Sequence, residues 1–125
     1  AHKFAAQQPG DRNAERDIAL GLSKLADLAW DQGDDEQALA HYEQALQITN
    51  GLLGEQAENR LWLRDKSATL NSIADVYLNR LDTTSAAALL AESVAIRRGL
   101  VAQDSHDASA RADLARVERI ALDAV

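Results

Sequence analysis

The chain has 125 residues, a net charge of −7, and neither cysteine nor methionine. The missing cysteine excludes disulfides and thiolate metal sites, and the acidic balance argues against nucleic acid, whose phosphates need clustered Lys and Arg. No apolar run approaches the ~20 residues that span a bilayer, so no membrane insertion is expected.

Alanine and leucine dominate, with 4% aromatics, six glycines and a single proline. That composition predicts close-packed helices in one all-α domain. A chain without methionine even at position 1 reads as an excerpt of a longer protein.

In chain order, residues 1–7 read as the tail of a helix, with Gln8-Pro9-Gly10-Asp11 as its exit turn. Ile18, Leu22, Leu25, Ala26 and Ala29 then fall on one helical face. Gln32-Gly33-Asp34 breaks this run, and Asp34 with Gln37 three residues on has the spacing of a capping box. A second amphipathic run carries Ala38, Leu39, Tyr42, Ala45, Leu46, Thr49, Leu52 and Leu53. Residues 14–55 therefore predict two antiparallel helices joined by a tight turn.

The design then recurs. Asn59 is expected to cap a helix with Trp62, Leu70, Ile73, Ala74 and Tyr77. Asp82 or Thr83 starts its partner through Ala86, Leu90, Val94, Ala95 and Leu100. Asp107 opens a last helix bearing Leu114, Val117, Ile120, Ala121 and Ala124. The boundaries expected are 1–11 for the tail of a preceding unit, 12–58 and 59–106 for two repeats, and 107–125 for a terminal helix.

The two halves match residue by residue at an offset of 48: Arg16-Asp17 returns as Arg64-Asp65, Leu22 as Leu70, Ala26-Asp27 as Ala74-Asp75, Asp34 as Asp82, Ala38 as Ala86 and Ile48 as Ile96. Phe4, Leu52 and Leu100 share the register, as do Asp17, Asp65 and Asp113. A fixed period predicts a stack in which each unit buries its apolar face against neighbours. Repetition of the Arg-Asp pair at the period favours an inter-repeat contact over a docking ladder.

The stretch from Leu25-Ala26-Asp27 through Gly33-Asp34 to Ala38-Leu39-Ala40-His41-Tyr42-Glu43-Gln44-Ala45 resembles a tetratricopeptide repeat. Ala26, Ala38 and Ala45 match its small interhelical positions, and Leu22, Leu25 and Tyr42 its large ones. The second repeat keeps Leu70, Ile73, Ala74, Tyr77, Ala86 and Leu90, but has Leu81 for the turn glycine and Ser93 for Ala45. The period exceeds the family's usual length of about 34 residues. It is similar to the long-helix variety of kinesin light chains, and Trp62 through Asp75 is closer still to tandem units of bacterial multidomain signalling proteins. The resemblance implies a right-handed solenoid of helix hairpins, a cytoplasmic setting, and a protein or peptide partner.

In that family ligands lie on the concave face lined by the first helix of each hairpin. Matched positions here are Ser23, Asp27 and Trp30, then Asn71, Asp75 and Leu78, with Glu118 and Leu122 from the last helix. Carboxylates at Asp27 and Asp75, where an acidic-peptide groove needs Lys and Asn, imply a neutral or basic segment held in part by the Asn71 amide. The alternative for both aspartates is a solvated helix face or a bond to a neighbouring helix. Trp30 is either a partner anchor or a core residue, and Trp62 is expected to pack between hairpins. A competing use is self-association, spacing or regulation within a parent chain, through exposed repeat ends to which Phe4 contributes.

No catalytic function is expected. His2, His41 and His106 lack ligand spacing, Asp34-Asp35-Glu36 suits a helix N-terminus, and no nucleophile, phosphate-loop or cofactor motif appears. No cofactor or metal is implied.

Overall fold

The computed structural model of the protein describes residues 11–124. Phe4, His2 and the proposed turn residues Gln8, Pro9 and Gly10 lie outside the described residues. Among those described, five helices carry the fold: α1 Asp11–Asp31, α2 Asp35–Glu55, α3 Arg60–Asn79, α4 Thr83–Gln103 and α5 Ala108–Asp123. The chain divides into two compact units, one ending at Asn59 and the other beginning at Arg60. The first is the α1–α2 hairpin, and in the second α4 packs against both α3 and α5.

Three of the caps expected from sequence form, those of Asp34, Asp82 and Asp107, while the Gln37 side chain turns to His41 at 3.2 Å and does not close a capping box. Asp34 Oδ1 accepts from the Gln37 backbone N–H at 3.1 Å, Asp82 Oδ1 from Ser85 N–H at 3.1 Å, and Asp107 Oδ1 from Ala110 N–H at 3.0 Å. Each satisfies a first-turn donor that would otherwise lack a helical partner. The Ser85 hydroxyl also donates to Asp82 Oδ2 at 2.7 Å, and these bonds hold the Asp82 carboxyl below its ordinary pKa. Asn59 immediately precedes α3, and its side-chain amide donates to Gln56 Oε1 at 3.1 Å.

The hairpin turns are built alike. Asp34 N–H donates to Ala29 O at 2.8 Å and Gly33 N–H to Trp30 O at 3.0 Å; 48 residues on, Asp82 N–H donates to Tyr77 O at 2.9 Å and Leu81 N–H to Leu78 O at 3.0 Å. Both turns need a left-handed residue, and Gly33 supplies it at φ 81°. Leu81 adopts the same conformation at φ 62°, despite its Cβ.

Small residues make the close helix contacts. In the second unit Ala74, Ala86 and Leu90 form a fully buried cluster, covered by Tyr77, Leu78, Leu89, Ile120, Ala121 and Ala124. Their counterparts Ala26, Ala38 and Tyr42 are buried in the first unit. Not all of the predicted α1 face is inside, however. Ala26 and Ala29 are buried, whereas Ile18 and Leu25 are about half exposed (53% and 51%). Helical spacing identifies an apolar face, but whether a neighbour covers it depends on residues outside that helix.

At three buried positions the units diverge in polarity. Ala19, Ala45 and Thr49 in the first become Ser67, Ser93 and Arg97 in the second. Arg97, only 5% exposed, donates through Nε to Ser67 Oγ at 2.7 Å and through Nη1 to Asp113 Oδ2 on α5 at 3.1 Å. Ser67 and Ser93 hydroxyls share a 2.7 Å bond. Burial lowers the Arg97 pKa, with Asp113 opposing that shift. A buried guanidinium is tolerated only with such partners, so this network joins α3, α4 and α5 through directional bonds.

A further contact recurs in both units. Arg12 pairs with Glu55 through Nε–Oε2 at 3.0 Å, tying the start of α1 to the end of α2. Arg60, its counterpart, donates to Leu100 O and Gln103 Oε1, both at 2.9 Å, and reaches Asp107 at 3.4 Å. The repeated Arg64 is exposed and makes no hydrogen bond or ion pair among the described residues. The clasp at the hairpin's open end thus belongs to the arginine four residues earlier.

The Leu81 turn yields a test. Left-handed backbone costs a non-glycine residue about 1–2 kcal/mol, of which glycine's greater unfolded-state entropy cancels part. Leu81 is 86% exposed, so truncation loses little packing. Leu81→Gly is expected to stabilise the protein by about 0.5–1 kcal/mol, raising Tm by a few degrees in a thermal melt. An unchanged or lowered Tm contradicts the assignment.

Candidate functional surface

The first helix of each hairpin presents a polar stripe at i, i+4 and i+7, spacing that keeps side chains on one helical face. On α1 these residues are Ser23, Asp27 and Trp30; on α3 they are Asn71, Asp75 and Leu78. Each triplet is therefore brought together by its own helix. Ser23 and Trp30 are half-buried and Asp27 is exposed; Asn71 and Leu78 are half-buried and Asp75 is exposed. Trp30 thus keeps part of its ring accessible, while Trp62 is buried. Leu78 leans on the Ala74–Ala86–Leu90 cluster, which makes it partly a core residue.

The two aspartates repeat in sequence and differ in bonding. Asp27 accepts a hydrogen bond from the Tyr42 hydroxyl on α2. Tyr42 is itself buried, so its ring fills the hairpin core while its hydroxyl reaches this carboxylate. For Asp27, a bond to the neighbouring helix is the outcome. In the second hairpin Tyr42 is replaced by Leu90, which is fully buried and has nothing to donate. Asp75 consequently makes no hydrogen bond or ion pair among the described residues. Although Asp75 reaches the surface, partial burial pushes its carboxyl above the ordinary pKa.

One turn before Asp75, Asn71 carries a second unmet group. Its Oδ1 is buried and has no hydrogen-bond partner. Buried amide oxygens are usually satisfied, so this one marks either a desolvation cost or a place for a donor. Asn71 and Asp75 together make a patch of acceptors on one face of α3, from backbone positions about 6 Å apart along the helix axis.

Glu118 differs from both stripes. Its carboxylate pairs with Arg98 of α4 at 2.9 Å, an exposed bridge that links α4 to α5. Glu118 and Arg98, with Val94, Ala121 and Leu122, line a shallow apolar groove of about 290 Å³. Leu122 at its rim is 76% exposed. Glu118 is therefore already partnered, unlike Asp75.

Sequence reading missed two features here. The role of Tyr42 as donor to Asp27 was hidden because Tyr42 matched a large core position, although its replacement by Leu90 was visible in the alignment of halves. The Arg12/Arg60 clasp was overlooked because its acceptor changes from Glu55 to Gln103, so only one partner is repeated. Among the described residues, no group of three or more His, Asp or Glu is placed to hold a metal ion, and no helix is long and apolar enough to cross a membrane.

No curated protein and no solved structure matches the chain. The sequence model of the tetratricopeptide repeat matches residues 17–99, spanning α2 and α3 and most of α1 and α4. Such repeats are generally protein-interaction modules on a non-catalytic scaffold. With two all-helical hairpins built on one 48-residue register and that match covering most of its length, the chain belongs to the tetratricopeptide repeat family.

Proposed function

We propose that a neutral or basic peptide or helix of another protein binds the first helix of each hairpin, at Ser23-Asp27-Trp30 and at Asn71-Asp75-Leu78, the positions that line the concave face in the tetratricopeptide repeat family. The observation that carries this reading is the Asn71–Asp75 patch, where two acceptors stand without donors in a chain of net charge −7. Trp30 adds a half-buried aromatic of the kind that anchors partners. Glu118, paired with Arg98, is the residue that the last helix adds to this reading. The protein works by binding, without catalysis, in this reading. Selection of random phage-displayed peptides on the purified chain is expected to yield neutral or basic sequences. Asp75→Lys combined with Trp30→Ala should weaken the selected peptides at least about tenfold in fluorescence polarisation, since removing a central anchor and reversing a charge each cost ~1–2 kcal/mol or more. Enrichment of acidic peptides, or unchanged affinity in the double variant, contradicts the proposal.

A second reading, self-association, is favoured by a different observation. Ile18, Leu25 and Leu28 share one stripe of α1, and Leu25 and Leu28 are 51% and 57% exposed. Their counterparts Ile73 and Val76 in the second hairpin are 3% and 0% exposed. An apolar stripe covered in one repeat and open in the other suits a further repeat, here supplied by a second copy. Light scattering is expected to show a concentration-dependent increase in mass that Leu25→Glu with Leu28→Glu abolishes. A strict monomer at millimolar concentration contradicts this reading.

A further inference from the structure

We infer that Asn71 and Asp75 form a subsite for a guanidinium group, so that the partner segment presents an arginine side chain to α3. The inference rests on the proposed binding surface and specifies its chemistry. Both groups lack the partner that their chemistry requires. Asn71 Oδ1 is buried without a donor, and Asp75 has neither hydrogen bond nor ion pair among the described residues. Both are acceptors, so the complementary ligand is a donor, and the charge of Asp75 calls for a cation.

The first hairpin supplies an internal comparison. There the equivalent carboxylate, Asp27, already has its donor in the Tyr42 hydroxyl. The position equivalent to Asn71 is Ser23, which has no carbonyl oxygen to leave unmet. The same backbone register therefore carries one satisfied carboxylate and one vacant pair of acceptors. Leu90, at the Tyr42 position, lies fully buried with Ala74 and Ala86, so the core of the second hairpin offers no internal substitute.

Arginine suits this pair better than lysine for two reasons. Its planar fork offers several N–H groups in fixed directions, enough to meet a carboxylate and an amide oxygen one helical turn apart. It is also more weakly hydrated than an ammonium, which lowers the cost of entering a partly desolvated patch. A change of the Asn71 side-chain rotamer would bring its buried oxygen to the guanidinium, which would also neutralise Asp75.

The test is a ¹⁵N NMR titration of the full 125-residue chain with N-acetylarginine amide, N-acetyllysine amide and N-acetylcitrulline amide. Arginine is expected to shift the Asn71 side-chain amide and the Asp75 backbone amide saturably. Lysine should bind about fivefold more weakly and citrulline, which lacks the charge, should leave both unmoved. Asp75→Asn should abolish the arginine response and Asn71→Ala should weaken it about fivefold, with the remaining amide spectrum unchanged as a check on folding. Equal responses to arginine and lysine, a response to citrulline, none to arginine, or persistence in Asp75→Asn each overturn the assignment. Selected peptides that shift Ser23, Asp27 and Trp30 while N-acetylarginine amide leaves Asn71 and Asp75 unmoved would overturn the guanidinium subsite alone and leave the wider binding surface standing.

Discussion

The hairpins depend on close approach of their helices at side chains that end near Cβ. Ala74 and Ala86 are fully buried beside Leu90, and Ala26 and Ala38 hold the same places in the first unit. Larger groups there would force the backbones apart, because protein interiors have little spare volume. Once those contacts are fixed, the large residue beside them has a defined position and reach. Tyr42 uses that reach to bond Asp27, and Leu90 cannot do the same for Asp75. A substitution in the core thereby changes the chemistry of the surface.

The second unit also replaces apolar packing with a polar network. Ser67, Ser93 and Arg97 are buried together, and Asp113 completes the network from α5. Apolar contacts adapt to small shifts, whereas this set of bonds requires particular distances and directions. Arg97 would be left as a buried unpaired charge if α5 moved away, a change that costs several kcal/mol in typical proteins. The stripe bearing Asn71 and Asp75 thus belongs to a helix fixed from within, which suits a binding surface that must keep two acceptors in register.

Much of the scaffold was legible in sequence because it rests on local rules. Asp34, Asp82 and Asp107 cap where their spacing places them, and helical periodicity marks the α3 and α4 core at Leu70, Ile73, Ala86 and Leu90. The left-handed turn was visible at Gly33 and disguised at Leu81, where the surrounding hydrogen bonds override the residue's preference. The exposure of Ile18 and Leu25 was not legible, since an amphipathic pattern cannot say which neighbours are present. Of the surface residues, each α1 and α3 triplet shares one helix, as its spacing requires. Spacing could not reveal that Asp27 is partnered and Asp75 is not, because that difference arises from residues 15 positions away in chain, Tyr42 and Leu90.

Asp75 stands without an internal donor in a partly desolvated place. Its side-chain carboxyl titration, followed by ¹³C NMR in the unliganded protein, measures this directly. Desolvation of an unpaired carboxylate disfavours the charged form, so the midpoint is expected above the ordinary aspartate value. A midpoint at or below that value would show a donor or cation already at Asp75, and would contradict it.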